Sequence, residues 1–176
     1  MSHWVFGYGS LIYKADFPFE ERVAAHITGW ERRFWQGSHD HRGTPEAPGR
    51  VVTLVPAAGV RCGGMAYCIA ESVFEHLDHR EKNGYERFDT AMDLTDGRRV
   101  TATVYIAPED NHAFLGPASL QEIAAHIDDS HGPSGANRDY LLRLAGSLRR
   151  LNIIDEHVFA LEALLQGAGT HSGTSD

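Results

Sequence analysis

The sequence predicts an α+β domain, with a curled antiparallel or mixed sheet and helices packed outside it. Three observations carry that reading. Short runs rich in Val, Thr, Tyr and Phe, broken by Gly, Pro and Asp clusters, fill most of the first two thirds of the chain. Capped stretches with apolar residues at helical spacing begin at Ser72 and dominate the last third. Between two strand-like runs stands Asp96-Gly97, a strong hairpin signal.

The strand-like runs are residues 4–8, 33–36, 50–55, 64–69, 86–94 and 100–107. Asp96-Gly97 between the last two suits a type I′ turn, which needs positive φ at both central positions. Ser72 with Glu75 makes a capping box, opening a helix that places Val73, Phe74 and Leu77 on one face. Asn83-Gly84 suits the left-handed end of that helix. Ser119 with Glu122 repeats the box ahead of Ile123 and Ile127. Residues 138–151 align Tyr140, Leu141, Leu144, Leu148 and Leu151, and Asp155 caps a last helix carrying Val158, Phe159 and Leu161. Residues 167–176 are a Gly/Ser/Thr tail with nothing to bury, read as disordered. Without an internal repeat or linker, residues 1–166 read as one domain.

A chain of 176 residues, 42% hydrophobic and 23% charged, can bury about 70% of its unfolded surface and form a core without staples. A formal charge of −8 argues against a general nucleic-acid binder, because phosphate neutralisation needs clustered Lys and Arg. No apolar run reaches the ~18 residues of a membrane span, and the N-terminus lacks the basic and apolar regions of a signal peptide. Cys62 and Cys68 are too few for a disulfide scaffold and are not at a Cys-x-x-Cys spacing. The expectation is a reduced, cytoplasmic monomer with no nucleic-acid or membrane partner. Charge is uneven along it. Residues 31–61 carry five arginines (Arg32, Arg33, Arg42, Arg50, Arg61) and a net charge of +2, whereas residues 71–96 carry −5. The arginines either pair with neighbouring acids or hold an anion.

Four segments can carry chemistry. In the first, a strand runs into Gly7-Tyr8-Gly9-Ser10-Leu11-Ile12, where two glycines let the backbone approach a ligand and let N–H groups converge on negative charge. An ordinary tight turn is the alternative. A dinucleotide fingerprint is excluded because Ile12 replaces its third glycine and Asp16-Phe17-Pro18 follows where a helix is required. In the second, Glu81 falls at the carbonyl end of the helix capped at Ser72, where the macrodipole disfavours an anion. Partial burial there would raise its pKa toward that of a general base, while a solvated Glu81 would simply pair with Lys82 or Arg80. In the third, His39 and His41 lack a third ligand at recognisable spacing, so no metal is expected. In the fourth, Ser134 or Asn137 caps the helix starting near Arg138 or touches a ligand.

Read in order, several motifs resemble the ChaC family of glutathione-specific γ-glutamylcyclotransferases. They are Phe6-Gly7-Tyr8-Gly9-Ser10-Leu11, Arg33-Phe34-Trp35-Gln36-Gly37-Ser38, Asp40-His41-Arg42-Gly43-Thr44-Pro45, the run from Pro48 to Val55, Arg80-Glu81-Lys82, Gly84-Tyr85 and Gly132-Pro133-Ser134-Gly135. The similarity spans about residues 4–165. Two positions depart from the family pattern, His39 in place of Thr or Ser and Asn83 in place of glycine. The resemblance implies a small mixed β-barrel with flanking helices and cleavage of glutathione to 5-oxoproline and cysteinylglycine without a cofactor. It also implies Glu81 as general base and a loop from Gly7 to Ile12 that binds substrate; the arginine-rich segment is then the available source of a cation for the glycine carboxylate. Two alternatives remain at this stage: the same chemistry on other γ-glutamyl amines, and a non-enzymatic protein associated with cation transport.

Overall fold

Five strands, β1 (Ser2–Gly7), β2 (Glu21–Ser38), β3 (Gly49–Ala70), β4 (Glu86–Leu94) and β5 (Arg99–Ile106), close into a barrel in the order β1-β3-β2-β4-β5. The computed structural model describes residues 2–81 and 85–174, with side chains described as far as residue 167. The barrel is mixed. β1 runs antiparallel to β3, with Trp4 opposite Cys68, and closes the circle by pairing parallel to β5, with Trp4 opposite Ala102. With the four α-helices among the described residues it forms the α+β fold that the segment order predicts.

The chain divides into two compact units. One comprises Met1–Arg32 and Thr53–His112, the other Arg33–Val52 and Ala113–Asp176. Two of the three crossings fall inside strands, β2 and β3, where no linker composition marks them, and the third, at His112–Ala113, falls in the connection between β5 and the helix that starts at Leu120. In the first unit Phe6, Ala25, Ile27, Leu54, Ala66, Met92, Leu94, Ala102 and Val104 form the apolar core. Their period-2 placement on each strand turns alternate side chains inward. In the second unit α2 (Leu120–Asp128), α3 (Asn137–Arg150) and α4 (Glu156–Thr174) pack on one another around buried Ile123, Ile127, Leu141, Leu144, Leu148, Val158 and Leu161.

Strands β1, β4 and β5 fall where the side-chain pattern places them, whereas β2 and β3 are longer. β2 starts at Glu21 and not at Arg33, and β3 joins the two expected runs into one strand. Gly29 and Gly59, at φ of 98° and 76°, look like breaks in the sequence, but each is a single left-handed residue within a strand that continues beyond it. The Asp96-Gly97 hairpin forms with a different turn. Gly97 has φ of 94° but Asp96 does not share the positive sign, and Gly97 N–H donates to Leu94 O at 3.0 Å. This is a three-residue loop ending on a left-handed glycine, not a type I′ turn.

Helix α1 (Glu71–Glu81) begins one residue before the expected cap, so Ser72 lies inside it. Ala70 is still paired with Ser2, and the chain passes from the ladder directly into the helix. The Asn83-Gly84 cap lies outside the described residues. Ser119 does cap α2, its hydroxyl accepting from Glu122 N–H at 3.1 Å, and Asp155 accepts from Val158 N–H at 3.0 Å ahead of α4. That last helix runs through Thr174, where composition alone predicts a structureless tail. Its glycines cost about 1 kcal/mol each relative to Ala, a weak barrier to extending a helix already nucleated by packed turns.

Candidate active site

The loop from Gly7 to Ile12 leaves β1 and tightens into a 3-10 turn at Ser10–Ile12, closed by Ile12 N–H to Gly9 O at 2.9 Å. Tyr13 and Lys14 N–H then bond Ser10 O at 3.1 and 2.8 Å. Three side chains hold the loop by its outer carbonyls. Arg32 Nε donates to Tyr8 O at 2.7 Å, Tyr67 Oη to Leu11 O, and Arg22 Nη2 to Ile12 O at 2.8 Å. In a trans peptide the carbonyl and the following N–H point in opposite directions. Pinning Tyr8 O therefore aims Gly9 N–H away from Arg32, and the occupied carbonyls of Gly9 and Ser10 turn Ser10 and Leu11 N–H outward from the turn. Gly7 is required by packing: a Cβ there would lie 2.5 Å from Leu11 Cβ. Gly64 on β3 is equally constrained, since its Cβ would meet Gly7 O at 2.3 Å.

Glu81 is the last residue of α1, and its carbonyl accepts from Tyr85 N–H at 3.2 Å. Its side chain is 26% exposed and its carboxyl lies 3.4 Å from Arg80 Nη2. Burial pushes the Glu81 pKa up, Arg80 pulls against that shift, and the Asp16 carboxylate adds to it. The solvated ion pair that sequence alone allows is thus only half right: the pair with Arg80 exists, but on a largely buried acid.

Loop and helix belong to the same unit and are joined by residues that sequence reasoning missed. Tyr8 Oη donates to Tyr105 O at 2.7 Å, and Tyr105 Oη donates to Asp78 Oδ1 at 3.0 Å. Asp78, one turn before Glu81 on α1, also accepts from Arg87 Nη1 at 2.7 Å. The spacing of three between Asp78 and Glu81 was the available signal, because it puts both acids on one helical face.

The other candidates lie in the second unit or serve the fold. Arg32, Arg42 and Arg50, three of the five arginines read as either pairing with acids or holding an anion, are buried and donate to backbone carbonyls. Arg32 reaches Tyr8 O and Gly63 O, Arg42 reaches Ala136 O at 3.0 Å, and Arg50 reaches Phe34 O at 2.8 Å. Buried carbonyls need donors, and a long guanidinium side chain supplies them at a distance. Arg50 Nε also donates to His126 Nδ1 at 2.9 Å, leaving Nε2 of that ring to donate to Pro48 O at 2.7 Å. His41 Nδ1 contacts Ser134 Oγ at 3.2 Å, and no group of three His, Cys, Asp or Glu side chains placed for a metal occurs among the described residues. Asn137 does not cap α3, whose N-cap is Ala136 without a side-chain bond. Its fully buried amide instead takes Arg50 N–H at 2.7 Å and gives to Arg50 O at 2.7 Å, mimicking a strand neighbour.

Residues 3–168 match the model of the ChaC-like protein family. The chain is 45% identical over 170 residues to a protein of Arabidopsis thaliana named gamma-glutamylcyclotransferase 2-3, covering 90% of this chain and 85% of that one. It is 43% identical over 176 residues to the zebrafish (Danio rerio) protein named glutathione-specific gamma-glutamylcyclotransferase 1, covering 93% and 89%. A crystal structure described as a yeast gamma-glutamyl cyclotransferase specific to glutathione superposes with a TM-score of 0.83 at 34% identity, covering 94% of this chain and 96% of that one. An anchored glycine loop, an acid ending α1 and this likeness along nearly the whole length agree: the chain belongs to the ChaC-like protein family.

Proposed function

We propose that this protein is a glutathione-specific γ-glutamylcyclotransferase that uses Glu81 as its general base. Family membership and the activity named for its relatives support the reaction, and one observation carries the residue assignment. Glu81 ends α1 as a mostly buried carboxylate with a raised pKa, in the same unit as a loop whose amides face away from its pinned carbonyls.

The reaction needs no side-chain nucleophile. The substrate's α-amine attacks its own γ-glutamyl carbonyl, a C–N bond closes the five-membered ring, and the old amide C–N bond breaks to release cysteinylglycine. Holding the chain folded for that attack supplies roughly 7–11 kcal/mol of the barrier. Glu81 takes a proton from the α-ammonium and returns one to the leaving amine, so protons balance over the cycle. A carboxylate with a raised pKa does both better than an ordinary one, because its conjugate acid and base lie closer in energy at working pH. The outward N–H groups of Gly9, Ser10 and Leu11 hold the α-carboxylate and steady the developing oxyanion; Tyr8 ties the loop to the barrel and Ile12 buries its far end.

The proposal includes a reduced, cytoplasmic monomer acting without a cofactor, in keeping with Cys62 and Cys68, two buried thiols not joined in a disulfide. Purified protein incubated with glutathione should form 5-oxoproline and cysteinylglycine in equal amounts. A panel of other γ-glutamyl amines distinguishes glutathione specificity from a broader cyclotransferase. No 5-oxoproline from any member would overturn the enzyme reading in favour of a non-enzymatic role, and elution at twice the chain mass would overturn the monomer.

A further inference from the structure

Asp78 has no part in ring closure, yet it is a buried acid in the last turn of α1, 8% exposed. The helix does not gain from a negative charge there, since the carbonyl end of the macrodipole repels anions. Its carboxylate is satisfied from the barrel instead. Arg87 Nη1 at 2.7 Å comes from β4 and Tyr105 Oη at 3.0 Å from β5. These two donors are direct cross-strand partners in the β4–β5 ladder, so they form a clamp whose spacing the barrel sets. On its other side, Tyr105 O accepts Tyr8 Oη at 2.7 Å from the glycine loop. A single residue thus ties the loop proposed to bind substrate to the helix that ends in the proposed base.

We propose that Tyr105 and Asp78 are positioning residues that hold the helix end bearing Glu81 in fixed register with the substrate loop. Because Asp78 precedes Glu81 by one turn, fixing its carboxylate fixes the backbone from which the Glu81 side chain projects. The end of a helix is where intrahelical bonds run out and fraying begins, so an outside anchor has most effect at this position. Burial and the neighbouring Asp78 carboxylate keep the Tyr105 hydroxyl protonated, and hence a donor, throughout the working range. The inference rests on the reading of Glu81 as base.

The test compares Tyr105→Phe, Asp78→Asn, Asp78→Ala and Glu81→Gln, with kcat, KM, the pH profile and thermal unfolding measured for each. Tyr105→Phe deletes one hydroxyl and leaves the carbonyl that Tyr8 uses. It should lower kcat about tenfold with KM within about twofold of wild type. Asp78→Asn keeps an acceptor for both donors and should retain kcat within about threefold, with the acid limb unmoved; Asp78→Ala should lose at least as much kcat as Tyr105→Phe. If Asp78→Ala does not fold, Tyr105→Phe and Asp78→Asn decide against Glu81→Gln. Normal kcat in Tyr105→Phe beside an inactive Glu81→Gln would overturn the positioning role alone. Loss in Asp78→Asn equal to that in Asp78→Ala, or kcat loss that merely tracks the unfolded fraction, would also overturn it. Turnover surviving in Glu81→Gln would instead remove the base assignment, and this proposal with it.

Discussion

Arg80 holds Glu81 with a nitrogen that it shares: Nη2 lies 3.4 Å from Glu81 Oε1 and 3.2 Å from Asp16 Oδ1. The two acids compete for one guanidinium, and with Arg80 and Asp16 both substantially exposed, each pair is weak. Burial therefore outweighs the attraction of Arg80 and leaves the Glu81 pKa raised.

The pH dependence of kcat/KM follows from that balance. A base works when ionised, so the acid limb should lie at higher pH than an ordinary glutamate would set. Arg80→Gln removes the group that lowers the Glu81 pKa and should move the limb to higher pH. Asp16→Asn removes a like charge and frees Arg80 for Glu81, moving the limb to lower pH. Limbs moving together, or in the opposite order, would show that Glu81 does not govern them.

Loop anchoring should appear in KM. Arg32→Met keeps most of the buried stem but deletes the donors to Tyr8 O and Gly63 O. Hydrogen bonds from charged groups contribute about 1.5–3 kcal/mol, and about 1.4 kcal/mol lost from loop order corresponds to a tenfold rise in KM. Steady-state kinetics at fixed pH measure this. Reduced thermal stability with unchanged KM would mean that Arg32 supports the barrel and not the substrate loop.

Much of the fold was legible because its signals are local. Runs rich in Val, Thr, Tyr and Phe marked β1, β4 and β5, Ser119 marked the start of α2, and Asp96-Gly97 marked a hairpin though not its turn type. The first half of β2 and the middle of β3 were illegible because a left-handed glycine inside a strand has the same sequence as one that ends it. The place of Glu81 at the end of α1 was legible because a helix end is a local feature. The contact between Tyr105 and Asp78 was not, since it depends on strand register placing Arg87 across from Tyr105. Nor could the sequence show that Arg32, Arg42 and Arg50 bond carbonyls distant in the chain.

Asn137 offers a test in the second unit. Asn137→Ala deprives both Arg50 N–H and Arg50 O of their 2.7 Å partners in a fully buried setting. Each buried backbone group left unsatisfied costs about 1–3 kcal/mol. Ser134→Ala, at an exposed hydroxyl touching His41, should stay within about 0.5 kcal/mol of wild type. Urea unfolding compares them, and coincident midpoints would show that the amide bridge adds no stability.

The decisive substitution is Glu81→Gln. Gln preserves size and an acceptor for Arg80, so α1 should end as before. It cannot take up a proton, and the α-ammonium of the substrate would remain protonated and unable to attack. Loss of a positioned general base costs about 10²–10⁴-fold in rate, or roughly 3–5 kcal/mol of barrier. Stability should move the other way. An acid whose pKa is raised by folding binds more protons folded than unfolded, so its ionisation lowers stability as pH rises through the raised value. Removing the charge relieves that cost at neutral pH, and Glu81→Gln should unfold at the same or a higher temperature than wild type there, with the difference vanishing in acid. Glu75→Gln and Glu86→Gln, at exposed acids nearby, should keep full turnover. Equal loss in all three variants, or more than about a tenth of wild-type turnover in Glu81→Gln, would assign the base elsewhere.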